Sequence, residues 1–363
     1  MKFRFFIVYL ILQTTCMAQL IEPEVLVHLP AALYESSGVE ISDPNSIWTH
    51  NDSGDSARIY NIDTLGNILG TILFDVDEAI DCEESTRDAA GNYYLGDFGN
   101  NANDRTNLRI YKIPDPDTLS LNTATPQLIT FRFEDQLLFP PDSANMNFDC
   151  EAMFHFQDSL YLFSKNRGTS MFCKMYRLPD DPGDYVAELV DSFNTGTWVT
   201  SADISPSGER MVLLSESRLW LFSDITGTAF FGGNAQMFNM YFSQKEAVVF
   251  VDDSTLYLTD EYISVLGNGG NLYRIELNAV LNGQDQPEKA RLRVFPNPAT
   301  DVVYITIPES QDDFFVELFD ASGKMVHSCT SCSAVDISSL CEGLYLVKIT
   351  SKNNCFSGWI EKF

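Results

Sequence analysis

One pattern recurs five times along this chain and constrains its fold more than any other feature. Its clearest copy is DCEAMFHFQDSLYLFSK at residues 149–165. The others are SGVEISDPNSIWTHND from Ser37, DCEESTRDAAGNYYLGD from Asp81, SADISPSGERMVLLSE from Ser201 and QKEAVVFVDDSTLYLTD from Gln244. Each joins an acidic residue to a turn and to an apolar run of the kind that fits a pleated strand. A polar loop and a second signature strand follow every copy: RIYNI from Arg58, LRIYKI from Leu108, CKMYRL from Cys173, RLWLF from Arg218 and NLYRI from Asn271. No stretch of comparable length shows the 3.6-residue period of a helix. Repeats of roughly 40 to 50 residues built from about four strands are the mark of propeller blades. The chain reads as all-β: a six-bladed β-propeller, with five blades legible, followed by a small immunoglobulin-like β-sandwich. The sixth blade is expected between Leu119 and Asn147, or from Leu20 to Leu33 joined with the strand after Gly270; rings of five or seven are the neighbouring solutions.

In an antiparallel hairpin the start of the first strand lies beside the end of the second. This pairs Glu83 with Asp97, Glu151 with Lys165, Asp203 with Glu216 and Glu246 with Asp260, and sets Glu40 against the His50-Asn51-Asp52 corner. The first strand of a blade is innermost, so these groups are expected to ring the mouth of the central channel. Adjacent carboxylates are unfavourable unless a raised pKa or a bound cation relieves them. Lys165 can neutralise Glu151, whereas the other pairs have no such partner. The expected metal ligands are Glu83, Asp97, Glu246, Asp260 and Asp52. Hard oxygen donors in the loops HNDSGDS and GDFGNNANDR suit Ca²⁺ better than Zn²⁺. The same acids can instead cap backbone N–H groups at strand ends, or supply a catalytic carboxylate. Arg105 and Arg167 can grip a phosphate or carboxylate beside a metal, or tie their loops to neighbouring acids. There is no Gly-x-Ser-x-Gly elbow or phosphate-binding glycine loop, and His50 and His155 lack a nucleophile at a diagnostic spacing.

Four motifs, ESSGVE at Glu35, WTHNDSG at Trp48, GDFGNN at Gly96 and DCEAM at Asp149, make residues 33–277 resemble bacterial six-bladed propellers of the SdiA-regulated and phytase-like kind. The resemblance implies kinship with calcium-binding and hydrolytic members. Where Trp-Glu-Asp after an aspartate would be expected, this chain has Asp81-Cys82-Glu83-Glu84, so catalytic roles do not carry over at that position.

The formal net charge is −28, and residues 19–290 hold 42 Asp and Glu against 15 Lys and Arg. Such a body repels nucleic acid and anionic lipid and attracts cations and basic partners. Residues 1–18 read as a secretory leader, with Lys2 and Arg4, an apolar run to Leu12, and Ala18 before the expected cut. No other run approaches the roughly 20 apolar residues of a membrane span. An exported chain permits disulfides, and eight Cys are present, at 16, 82, 150, 173, 329, 332, 341 and 355. The Cys329-x-x-Cys332 pair suits a structural bridge, half a zinc site or a redox couple.

After residues 19–283 and a polar hinge at 284–290, the tail at 291–363 reads VFPNPATDVVYITI, VELFDASGKMVHS and DISSLCEGLYLVKIT. Alternating strands separated by Pro-Asn-Pro, Ala-Ser-Gly-Lys and Glu-Gly turns describe a small antiparallel sandwich. The segment resembles the C-terminal sorting domain of the type IX secretion system of Bacteroidetes. That resemblance implies translocation by the type IX machinery and a place at the cell surface or outside the cell. The functional expectation is a secreted or surface propeller that binds a cation and a small ligand or protein partner at its acidic mouth. A Ca²⁺-dependent hydrolase of phosphoesters or lactones and a non-catalytic surface scaffold are the alternatives, and enzyme status is left open.

Overall fold

The computed structural model describes residues 19–52, 54–77, 79–264, 267–281, 293–295, 299–306, 314–320, 323–350 and 355–362. The expected leader at 1–18 and hinge at 284–290 lie outside these residues. Each of the five repeats folds into one antiparallel blade. The inner strands are Ser36–Asp43, Cys82–Arg87, Asp149–Phe156, Ser201–Ile204 and Lys245–Asp252. Near-continuous burial along Ser159–Lys165, next to an inner strand, reflects cover on both faces. The outer strand Gln127–Phe133 shows the two-residue alternation of a half-buried strand, with Ile129, Phe131 and Phe133 inward.

Five blades close the ring, which corrects the expected six. Five apolar seams are present, each between neighbouring blades. Phe74 and Tyr111 join the first blade to the second, Phe133 and Tyr176 the second to the third, and Phe154 and Phe230 the third to the fourth. Leu221 and Leu258 join the fourth to the fifth, and Leu272 with Val39 seals the fifth against the first. The two stretches reserved for a sixth blade are used as outer edges. Thr123–Ala124 pairs with Ile68–Phe74 of the first blade, and Gln127–Phe133 is the outer strand of the second. Gln19–Ile21 pairs with Asn234–Met240, and Glu24–His28 supplies the fourth strand of the fifth blade. Parallel pairing of Gln127–Phe133 with Gly183–Asn194 fuses the second and third blades into one eight-stranded sheet. These additions occupy blade edges that would otherwise present unpaired backbone groups.

Inner strands of adjacent blades lie side by side without a continuous ladder, so side chains take up their backbone groups. Thr86 Oγ1 accepts from His155 N–H at 3.0 Å, Ser201 Oγ from Val248 N–H at 3.0 Å, and Asp203 Oδ2 from Phe250 N–H at 2.6 Å. The tail forms two sheets, one of three strands and one of four, around Val303, Val316, Leu318, Val347 and Ile360. Cys329 and Cys332 are disulfide-bonded, Cys82, Cys150 and Cys173 are buried thiols, and Cys341 is an exposed one. Among the described residues no helix is long and apolar enough to cross a membrane.

Because Leu272 is fully buried in the seam that closes the ring, Leu272→Ala is expected to cost about 2–5 kcal/mol in denaturant unfolding. A loss near zero would contradict a load-carrying seam between the fifth blade and the first.

Candidate functional site

Four of the five inner strands carry a β-bulge near their start. The pairing register shifts between Ser36 and Gly38, Cys82 and Glu84, Cys150 and Ala152, and Lys245 and Ala247. The extra residue is therefore Ser37, Glu83, Glu151 or Glu246. A bulge sets two residues against one and re-aims a side chain, and the blade-four strand Ser201–Ile204 pairs without one.

This shift alters the expected pairings. Asp97 lies opposite Cys82, Asp260 opposite Lys245, and Lys165 opposite Asp149. Asp97 is fully buried and accepts from Arg105 Nη2 at 2.9 Å, Arg109 Nε at 2.8 Å, Tyr111 at 3.2 Å and the backbone N–H of Ile80 and Asp81. Burial acts to raise its pKa, but Arg105 and Arg109 outweigh it and hold Asp97 below the usual carboxylate range. Asp260 accepts from Tyr273 at 2.6 Å and from the Asn271 backbone and side-chain amides at 2.8 and 3.1 Å. Asp97 and Asp260, expected as metal ligands, are consumed inside their own blades. Glu40 and Asp203, expected at the mouth, line a cavity at the other end of the inner strands.

The cations of the mouth are likewise engaged. Lys165 Nζ donates to Glu151 at 3.0 Å, the neutralisation the sequence suggests. Arg167 donates to Asp149 at 2.7 Å and to Glu151 at 3.2 Å, and lies over the Trp198 ring at 5.1 Å. Arg105 donates to the Gly99 carbonyl at 2.7 Å as well as to Asp97. Both arginines therefore tie loops to acids.

The same mouth holds a compact acidic group. Asp52, Asp81 and Glu83 each offer a carboxylate oxygen, all within 4.8 Å of one another. Glu83 is 6% exposed, and its pKa is driven well above the usual range by burial, then by Glu151, Asp52, Asp81 and Asp149. Asp81 is pushed up to about 6 by burial, Asp52 and Asp149. Gly99 makes the space: a Cβ there would lie 2.3 Å from Glu83 Oε1 and 2.4 Å from Asp81 Oδ2. Only a glycine lets the loop pass so close. Glu246 stands at the same mouth outside this triad, pushed up to about 7 by burial against the pull of Lys165. Glu261 is pushed up to about 9 by burial, Glu246, Glu35 and Asp52.

Of the five expected ligands, Asp52 and Glu83 come together, Glu246 lies beside them, and Asp97 and Asp260 do not join. Asp81 was missed. Its place in the site follows from the bulge at Glu83, which shows only in the pairing register of the folded blade.

No curated protein sequence matches this one. The extracellular domain of the B. thetaiotaomicron protein BT4673 aligns with 93% of this chain at 8% identity and a TM-score of 0.31, and the chain spans 58% of that domain. A functionally unknown protein from Desulfotomaculum acetoxidans aligns with 67% of this chain and 69% of its own length, at 14% identity and a TM-score of 0.34. Kluyveromyces lactis Hsv2 aligns with 67% of this chain and 74% of its own length, at 13% identity and a TM-score of 0.30. Residues 293–360 match the family described as the secretion system C-terminal sorting domain, the type IX tail, so this is a protein exported to the cell surface or the extracellular space.

Proposed function

We propose that the exported propeller binds one Ca²⁺ at its channel mouth through Asp52, Asp81 and Glu83, and presents that cation to a ligand or partner. The observation that carries this reading is Glu83, a buried carboxylate that accepts no hydrogen bond among the described residues, clustered with Asp52 and Asp81 where Gly99 leaves room beside Glu83 and Asp81. Ca²⁺ takes six to eight oxygens at about 2.3–2.6 Å, and three carboxylates leave positions for carbonyls, water or a ligand's oxygen. Proton binding and cation binding are alternative ways to relieve the same repulsion, so they compete.

The sign of the pH dependence follows. Asp81, Glu83 and Glu246 have folded-state pKa values above their unfolded ones, so their contribution to stability is complete at low pH and is lost as pH rises through the folded values. The chelated protein is expected to lose stability from about pH 4, where the unfolded carboxylates ionise, up to the folded values of about 6 for Asp81 and about 7 for Glu246. Ca²⁺ should remove much of that fall, raising the melting temperature by several degrees at pH 8 and less at pH 5. Glu83→Gln should raise the chelated melting point and abolish the Ca²⁺ response. Equal melting of the wild type with Ca²⁺ and with chelator at pH 8 would sink the proposal.

One observation favours a hydrolytic alternative. Glu246, buried at the mouth and pushed up to about 7 by that burial, has the acidity of a general base. In that case Ca²⁺-dependent turnover of a phosphoester or lactone should vanish in Glu246→Gln while folding survives. Silence of the wild type across such a panel would leave binding as the function. Export rests on the tail: removing residues 291–363 should trap the propeller in the periplasm, and surface display of the shortened chain would refute that role.

A further inference from the structure

We propose that the first and second blades are joined, beneath the acidic mouth, by one buried water molecule held by His50, Ser85 and Tyr93. His50 comes from Ser46–Asn51 of the first blade, and Ser85 and Tyr93 come from Cys82–Arg87 and Tyr93–Asp97 of the second. The three residues are 1%, 2% and 0% exposed. His50 Nε2, Ser85 Oγ and the Tyr93 hydroxyl each lack a hydrogen-bond partner among the described residues. Leaving one buried polar atom unsatisfied is costly, and three in one seam point to a partner that they share.

The three atoms converge on one place. Gly38 lies opposite His50 in the first blade, and a Cβ on it would meet His50 Nε2 at 2.2 Å and Ser85 Oγ at 2.7 Å, so both atoms stand over that glycine. Tyr93 is paired with Arg87, two residues from Ser85 on the same face of the second blade, and its hydroxyl faces Ser85. Direct bonds tie the two blades on either side of this group. Nearer the mouth, Ser37 Oγ donates to the Glu83 carbonyl at 2.9 Å, and nearer the far end Arg87 Nη1 donates to the Ile41 carbonyl at 3.2 Å. Ser85 falls midway between Glu83 and Arg87, where the water takes the place of a direct bond.

The donor and acceptor set fits water. His50 Nδ1 stands 3.0 Å from the Asn51 carbonyl, which can only accept, so Nδ1 carries a proton. In the neutral ring Nε2 is then an acceptor and needs a donor. A water gives one O–H to Nε2, accepts the Tyr93 O–H and bonds Ser85, whose hydroxyl can give or take. Three such bonds are usual for a buried water. A metal ion fits less well, because two protonated hydroxyls and one imidazole make a poor ligand set. Neighbouring Glu84 does not complete that set: it accepts from the Ser85 N–H at 3.0 Å and from Ser201 Oγ. Asp52 follows the strand that carries His50, while Asp81 and Glu83 belong to the second blade. The water clasp therefore sets the spacing of the mouth acids whether or not they bind a cation.

The test is a crystal structure of the full-length chain, grown with chelator, at a resolution that shows ordered solvent. One oxygen peak is expected at about 2.5–3.2 Å from all three atoms. The peak should be lost in crystals of the double variant Ser85→Ala, Tyr93→Phe. Should that variant not fold, nitrogen NMR of the wild type decides: His50 is expected as the Nδ1–H tautomer, with Nε2 at the shift of a hydrogen-bonded acceptor. Four results would overturn the proposal: no peak in the wild type, a direct bond from Ser85 to His50 Nε2 in its place, an anomalous signal that marks a metal, or the Nε2–H tautomer. A peak kept at full strength in the double variant would overturn it as well.

Discussion

A single extra residue near the start of the inner strand decides which carboxylates of this protein face the channel and which are used inside the blades. Side chains alternate along a strand with period two, so a one-residue shift turns over every position that follows. In the second blade the shift separates Glu83 from Asp97. The first reaches the mouth with no hydrogen bond to its carboxylate among the described residues, and the second is buried against Arg105 and Arg109. In the third blade the shifted Glu151 is met by Lys165. The mouth is thus acidic on one side and neutralised on the other, although the repeats read much alike.

That asymmetry has an energetic meaning. Burying an ionised carboxylate is costly unless it is paired, and a site with no pairing must hold protons or a cation. The propeller can bear this cost because its stability lies elsewhere, in five apolar seams and in outer edges covered by segments such as Glu24–His28. A strained acidic mouth on a separately stabilised ring is an arrangement in which a cation gains affinity from repulsion already present in the folded protein. The sorting tail places that mouth outside the cell or on its surface.

The sequence makes the blades, their inner strands and the tail legible, because strand composition and turn residues repeat at regular spacing. Ring size was not legible: closure at five depends on which strands lie at the outer edges, and Gln127–Phe133 pairs with a strand of its own blade and one of the next. Asp52 and Glu83 were legible as mouth acids from hairpin geometry. Asp97 and Asp260 were misplaced by the same geometry, because a regular hairpin has no place for the bulge. Tyr111 and Tyr273, in the second signature strands, pack against the blade cores and also satisfy those two acids with their hydroxyls. Gly99 carries no sign of its role until the loop is seen against Glu83 and Asp81.

The central claim is that the clustered acids at the mouth, Asp52, Asp81 and Glu83, hold a cation. Its most direct test is the anomalous scattering of crystals grown with Ca²⁺ at pH 8. The account predicts a peak at about 2.3–2.6 Å from oxygens of Asp52, Asp81 and Glu83. Crystals that show no peak there, with Ca²⁺ in excess and the three carboxylates in the positions described, would contradict it.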